Sequence, residues 1–267
     1  MPEKDDLFLE IRTMGSFEII YDHQPVTIKR SSSIRLLQFL IVNWGCGVNK
    51  EVLIDNIFPH ETASQENSFN VALSVLRKSL EPSLKSGKDS KYILRQKRSY
   101  LLNEDTVHLD VNELLEVCDQ IMNQADSIDA DLIVRFNRLY RGEFMADFPY
   151  EEFLGTERQR INRICLDTLL HIADHYRKSE TPARSIEYYE RILESDPYYE
   201  AIYLDYIDLL LSLRTSHKAR DVADKMVQFI EVDLGSPVTD QIEEVFRSNG
   251  FQYKRERVYL QTSSLSL

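Results

Sequence analysis

Asn67-Ser-Phe-Asn-Val-Ala-Leu-Ser-Val-Leu-Arg-Lys78 is the stretch on which the reading of this chain turns. Phe69, Leu73, Leu76 and Leu80 recur at helical spacing and make one apolar stripe, and Thr62 and Gln65 stand ahead of it at the spacing of a capping box. The remaining face carries Asn67, Ser68, Asn70, Val71, Ser74, Arg77 and Lys78. A surface helix needs only Glu and Lys for solubility. Amides, hydroxyls and cations gathered on one face are the groups that hydrogen-bond base edges and phosphates.

Upstream, residues 7 to 28 alternate in the manner of short strands, with Phe17, Ile19 and Tyr21 on one side and Asp22-His23-Gln24-Pro25 as the break. Ser31 to Ser33 offer an N-cap to a helix marked by Ile34, Leu37 and Ile41, which Gly45 and Gly47 end. A short second helix follows Asn49, with Val48 and Leu53 placed as a hydrophobic staple and Pro59 as its stop. Downstream of the polar-faced helix, a Lys- and Ser-rich loop, Ser83 to Lys91, leads into Tyr92-Ile-Leu-Arg-Gln-Lys-Arg-Ser-Tyr-Leu-Leu102, two strand-like runs joined by a cationic turn at Lys97 and Arg98. Strands, three helices and a basic hairpin predict an α+β winged helix-turn-helix over residues 1–110.

Beyond Asp110 strand patterns vanish. Helical periodicity places segments at about 111–123, 129–141, 151–179, 183–195, 198–213, 217–232 and 238–247. The stretches that begin at Ala183 and Ala219 are weakly similar at an offset of 36 residues, and two-helix repeats of the tetratricopeptide kind run to about 34. An all-α, tetratricopeptide-like domain is therefore expected over 111–248, with 249–267 as a tail.

The 267 residues hold 44 acidic and 32 basic side chains, a formal charge of −12. Taken whole, that balance argues against a partner as anionic as DNA. It is not uniform: residues 24–100 carry twelve bases against six acids, whereas 111–267 carry eighteen against twenty-nine. The basic window coincides with the polar-faced helix and the hairpin, which suits phosphate contact. Cys46, Cys118 and Cys165 lie far apart, which supports neither a disulfide framework nor a cysteine zinc site and fits a reducing compartment. The acidic start Met1-Pro-Glu-Lys-Asp-Asp6 is unlike a signal peptide, and no window approaches a membrane span, so a cytoplasmic location is expected.

Over residues 7–247 the chain resembles the SARP-type bacterial transcriptional activators, which join a response-regulator-type winged helix to a helical bacterial transcriptional activator domain. The matches in the first module are Gly15 with Phe17, Val26, Arg35-Leu-Leu37, Val48-Asn-Lys-Glu-Val-Leu53, Phe58-Pro59, the Asn67–Lys78 stretch with Leu80, and Tyr100-Leu-Leu102 followed by Leu109-Asp-Val111. In the second they are Tyr140-Arg-Gly-Glu-Phe144, Asp147, Phe153, Arg158, Asp196-Pro-Tyr-Tyr-Glu200 and Asp233-Leu-Gly-Ser-Pro237. The pattern departs from the family at Asn70 and Val75, where arginine is frequent, and at Arg98-Ser99, where the wing usually has a glycine. No receiver precedes Leu7 and no ATPase module follows Phe246, so regulation is expected to differ from relatives with those switches.

The resemblance implies a sequence-specific regulator of double-stranded DNA, an activator that binds direct repeats, pairs with a second copy and recruits RNA polymerase. Asn70 and Ser74 are the candidates for base edges, with Asn67, Ser68, Val71, Arg77 and Lys78 around them, and Lys97 and Arg98 for phosphate or minor groove. In the family the loop from Pro59 to Gln65 resembles one that faces polymerase, which nominates His60 and Glu61. Two other readings stay open: a tetratricopeptide-like adaptor that has lost DNA, and a sensor whose helical domain holds a small-molecule effector near Arg214, Lys218 and Arg220. His171 and His175 stand four apart, as metal ligands can, but Ile172 occupies the place of a zinc protease's catalytic Glu and no third ligand is evident, so no metal is expected. No phosphate-binding loop, dinucleotide fingerprint or nucleophile elbow occurs, and neither catalysis nor a cofactor is expected.

Overall fold

A computed structural model describes residues 8–58, 65–125, 127–179, 181–235, 244 and 247–248. Strands β1 (Leu9–Arg12), β2 (Glu18–Tyr21) and β3 (Gln24–Pro25) are followed by α1 (Ser31–Val42), β4 (Val48–Asn49), α2 (Lys50–Ile57) and α3 (Gln65–Leu80). Then come β5 (Ile93–Gln96), β6 (Ser99–Leu102), β7 (Val107–Leu109), α4 (Asp110–Met122), α5 (Ala130–Leu139) and α6 (Glu152–Lys178). The last are α7 (Ser185–Ser195), α8 (Glu200–Ser212) and α9 (Ser216–Val227), which passes into a π-helical turn over Gln228–Asp233. The predicted helix at 238–247 lies almost wholly outside the described residues.

One sheet has the order β3-β2-β1-β7, with β7 parallel to β1 in the register Leu9↔Val107. The other, β4-β6-β5, is the wing plus a two-residue strand that sequence patterning does not reveal. Val48 and Asn49 pair with Tyr100 and Ser99, so the start of α2 is held by the wing. Asn49 also caps α2, accepting from the Glu51 N–H at 3.0 Å. The serine cap expected for α1 is not used. Helix α1 starts without a side-chain cap, because Ser33 is buried and donates instead to the Ala72 carbonyl of α3 at 2.8 Å. At its other end Asn43, ahead of the glycines, closes the helix with a bond from Nδ2 to the Phe39 carbonyl at 2.8 Å.

The chain divides into two compact units, Met1–Gln120 with Ala130–Cys165, and Ile121–Asp129 with Leu166–Leu267. The first unit thus holds the two sheets and α1 to α3 together with most of α4, α5 and the first half of α6, while sequence periodicity alone suggested a division at Asp110. The reason is a polar seam. Asp110, buried at the start of α4, accepts from Thr13 N and Thr13 Oγ1, both at 2.7 Å, from Met14 N at 3.2 Å and from Arg141 at 2.8 Å. Segment 143–147 adds Gly15 N to Glu143 O, Met145 N to Thr13 O and Phe17 N to Asp147 Oδ2. Arg158 donates to the carbonyls of Phe144, Met145 and Phe148, fixing that segment on α6. Gly15 (φ +79°) and Gly142 (φ +147°) meet here, and a Cβ on Gly15 would lie 3.2 Å from the Arg141 carbonyl. Around the seam, residues such as Leu9, Ile11, Leu36, Leu114 and Phe136 are fully buried, each worth about 1.5–3 kcal/mol in removed apolar surface.

In the second unit α7 packs on α8 and α8 on α9, as expected of helical hairpins. Tyr188, Tyr189, Tyr203 and Tyr206 are buried between them, Tyr176 stacks on Tyr188 and the rings of Tyr189 and Tyr206 lie 5.7 Å apart. The tyrosine cluster is thus hairpin packing.

Candidate nucleic-acid interface

Helix α3 divides cleanly into two faces. Phe69, Ala72, Leu73, Leu76 and Leu80 are buried, while Asn67, Asn70, Val71, Ser74 and Lys78 are exposed and Ser68 is half-buried. The exposed set runs at intervals of three and four residues, so it forms one straight stripe, amide at the N-terminal end and ammonium at the C-terminal end. Val71 is 46% exposed, which leaves a methyl-bearing surface between amides, the kind that meets a thymine methyl.

Arg77 departs from expectation. Its side chain turns inward, 8% exposed, donates to the Ile93 carbonyl of β5 at 2.9 Å, and lies 5.8 Å from the ring centroid of Tyr100. Burial lowers its pKa, the desolvation outweighing nearby Glu81. Arg77 therefore joins α3 to the wing, and only Lys78 of that pair faces outward. The reason is packing: position 77 follows Leu76 and falls at the edge of the buried stripe, where a long side chain reaches the first wing strand. Glu81 extends the same joint, accepting from Ser90 Oγ and from Lys91 N, while Ser90 Oγ accepts from Ile93 N.

The wing turn falls where the sequence places it. Lys97 and Arg98 are exposed between β5 and β6, and Lys97 takes a left-handed conformation (φ +56°), so the strain a glycine would avoid falls one residue before Arg98-Ser99. Arg95 and Gln96, also exposed, were not singled out from the sequence, and alternation alone would have put Arg95 on the face of buried Ile93. Arg95 Nε donates to the Lys97 carbonyl at 3.1 Å and bolsters the turn. Lys50 was missed too: its ammonium pairs with Glu66 and its N–H donates to the Arg98 carbonyl at 3.0 Å. The hydrogen bond from Lys50 holds the Glu66 carboxyl below its usual range. The one acid in the first turn of α3 is thereby neutralised locally, which removes a repulsion from any phosphate approaching this helix end.

His60, Glu61 and the capping Thr62 lie outside the described residues. The residues that bracket them are joined: Gln65 Nε2 donates to the Phe58 carbonyl at 2.9 Å, so Gln65 ties the end of α2 to the start of α3. His171 Nε2 bonds the Gln124 carbonyl at 2.9 Å and His175 Nδ1 accepts from Ile128 N at 3.4 Å, both within the second unit. Among the described residues no group of three His, Cys, Asp or Glu could hold a metal ion, and no helix is long and apolar enough to cross a membrane. Of the cations near α9, Lys218 is paired with Glu190 at 2.8 Å, while Arg214 and Arg220 are exposed. Glu151 accepts from Arg35 at 3.0 Å.

No protein-family model and no curated protein matches the chain by sequence. Among solved structures it is similar to Mycobacterium tuberculosis EmbR in complex with a low-affinity phosphopeptide, with a TM-score of 0.68 over 97% of this chain and 69% of that one. The two are 15% identical. They share a fold: a mixed α/β N-terminal part followed by helices.

Proposed function

We propose that this chain is a sequence-specific, double-stranded DNA-binding transcriptional regulator of the SARP type, with α3 as the recognition helix in the major groove and the β5–β6 turn on the flanking backbone. The observation that carries the reading is the exposed stripe Asn67, Asn70, Val71, Ser74 and Lys78 on a helix whose other face is wholly buried. Asn70 can bond adenine bidentately, Ser74 reads either partner, and Lys78, Lys97 and Arg98 supply phosphate charge. The shared fold with EmbR and the local motif matches support the same reading. In this reading, copies bind tandem repeats as a homodimer in the cytoplasm and activate transcription through polymerase contact at His60 and Glu61, and the basic charge that meets DNA is that of residues 24–100. A small-molecule effector could bias that binding.

Selection of duplexes from a random pool by the full chain tests it. A sharp, repeated motif is expected, and absence of enrichment would leave the adaptor reading. Asn70→Ala should relax one base position at a cost of about 1–3 kcal/mol. Equal weakening on all sequences would remove Asn70 from base readout. Replacing both Lys97 and Arg98 by alanine should flatten the salt dependence of binding. Variants of His60 and Glu61 that still bind the duplex but fail in a transcription assay would place polymerase at that loop.

A further inference from the structure

Within the first unit, the C-terminal end of α1, the first turns of α4 and the first half of α6 leave a cavity of about 340 Å³. That is near the lower end of volumes that hold small ligands. Its apolar lining includes Ile41, Val111 and Phe144, all buried. Trp44 and Asn112, both half-buried, also line it, and neither side chain has a hydrogen-bond partner among the described residues. An indole and an unpaired carboxamide lining one cavity offer it a flat wall and a paired donor and acceptor. The rim carries charge that is already spent: Arg160 is held bidentately by Glu157 at 2.9 and 2.6 Å, and that bond raises the guanidinium's pKa. An anion entering here would have to break that pair, whereas an uncharged ring would not.

We propose that this cavity binds a small, planar, uncharged aromatic molecule with a cis-amide edge, the ring against Trp44 and the edge paired with the Asn112 carboxamide. The site lies at the end of α1, and α1 is tied to α3 through the buried bond from Ser33 to Ala72 O. A ligand that prefers one placement of α1 therefore biases the placement of α3. This regulatory half rests on the DNA-binding reading; the binding half does not.

Trp44 is the chain's one tryptophan, so its emission reports on this cavity alone. The probe is carbostyril, a neutral bicyclic cis-lactam whose absorption overlaps tryptophan emission, titrated into the full chain without DNA. Saturable quenching is expected. Asn112→Leu should weaken binding about tenfold, the upper range for loss of a neutral hydrogen-bonded pair. Asn112→Ser, which adds no bulk, should do the same if the leucine variant fails to fold. Naphthalene, without the edge, and 2-naphthoate, with a charge, should bind at least as weakly as carbostyril binds the variants. Absence of saturable quenching up to the solubility limit overturns the proposal, as does carbostyril affinity unchanged in both Asn112 variants. With a selected duplex present, saturating carbostyril should change DNA affinity at least threefold. Intact probe binding with unchanged DNA affinity refutes the regulatory half, and intact probe binding by a chain that selects no duplex refutes the DNA reading alone.

Discussion

The two units of this protein hold themselves together differently. In the first, the decisive polar ties join residues far apart in sequence: Thr13 to Asp110, Arg35 to Glu151 and Phe17 to Asp147, separations of 97, 116 and 130 residues. In the second, most ties join neighbouring hairpins, Tyr206 to Glu190 across 16 residues and Arg177 to Asp205 across 28. The first unit must close long loops before any of its ties form, so a few buried polar groups fix its topology. The second gains stability by adding one helix pair to the next. Point changes should therefore act locally in the second unit and globally in the first.

The sharpest way to break that contrast is Asp110→Ala. The carboxylate satisfies three donors of Thr13 and Met14 and pairs with Arg141, so its loss should cost the first unit about 3–5 kcal/mol in urea unfolding. A loss no larger than that of a single hairpin hydrogen bond would erase the distinction between the units. Gly15→Ala probes the same seam through the backbone. At φ +79°, with the added Cβ 3.2 Å from the Arg141 carbonyl, it should cost about 1–3 kcal/mol.

What the sequence made legible follows the same division. Helical periodicity and the cationic turn placed α4 to α8 and the hairpin to within a residue or two, while the segment expected at 217–232 is α9 only as far as Val227. The placement succeeds because an amphipathic pattern records which face of an element is covered. It does not record by what. Ser33 read as a cap, Arg77 as a phosphate contact and Asp110 as the edge of a domain, and all three are long-range partners that periodicity cannot see. Gly142, Phe144, Asp147 and Arg158 stood out as family matches in the helical module. Their hydrogen bonds and contacts hold the β1–β2 turn against α6, and all four residues fall in the first compact unit. For Asn67, Asn70, Val71, Ser74 and Lys78 periodicity sufficed, since exposure is the complement of a stripe that the sequence displays; it failed only at Arg77, on the edge of that stripe.

Arg77 and Lys78 sharpen the comparison within α3, for they carry equal charge on adjacent residues. Lys78→Met should lower the salt slope of DNA binding by about 1 and leave stability unchanged. Arg77→Met should leave that slope nearly intact and cost about 1–3 kcal/mol of stability, because the Ile93 carbonyl loses its donor. Equal slopes lost by both variants would return Arg77 to the DNA surface.

The smallest effect is expected in the second unit. Tyr206 donates to Glu190 at 2.7 Å beneath the Lys218 ammonium, and burial, with Glu190 adding to it, pushes its phenol up to about 12. Tyr206→Phe removes one hydrogen bond and should cost about 0.5–1.5 kcal/mol at pH 7. The phenol's folded pKa lies above its unfolded value near 10, so the neutral form is favoured by folding. Its contribution is complete below pH 10 and is lost as pH rises toward 12. Urea midpoints of the two proteins should therefore differ at pH 7 and converge by pH 11–12, the phenylalanine variant showing the shallower alkaline loss. A gap that stays constant across that range would mean that the hydroxyl titrates alike folded and unfolded, and no gap at any pH would mean that the hairpin holds Tyr206 by its ring alone.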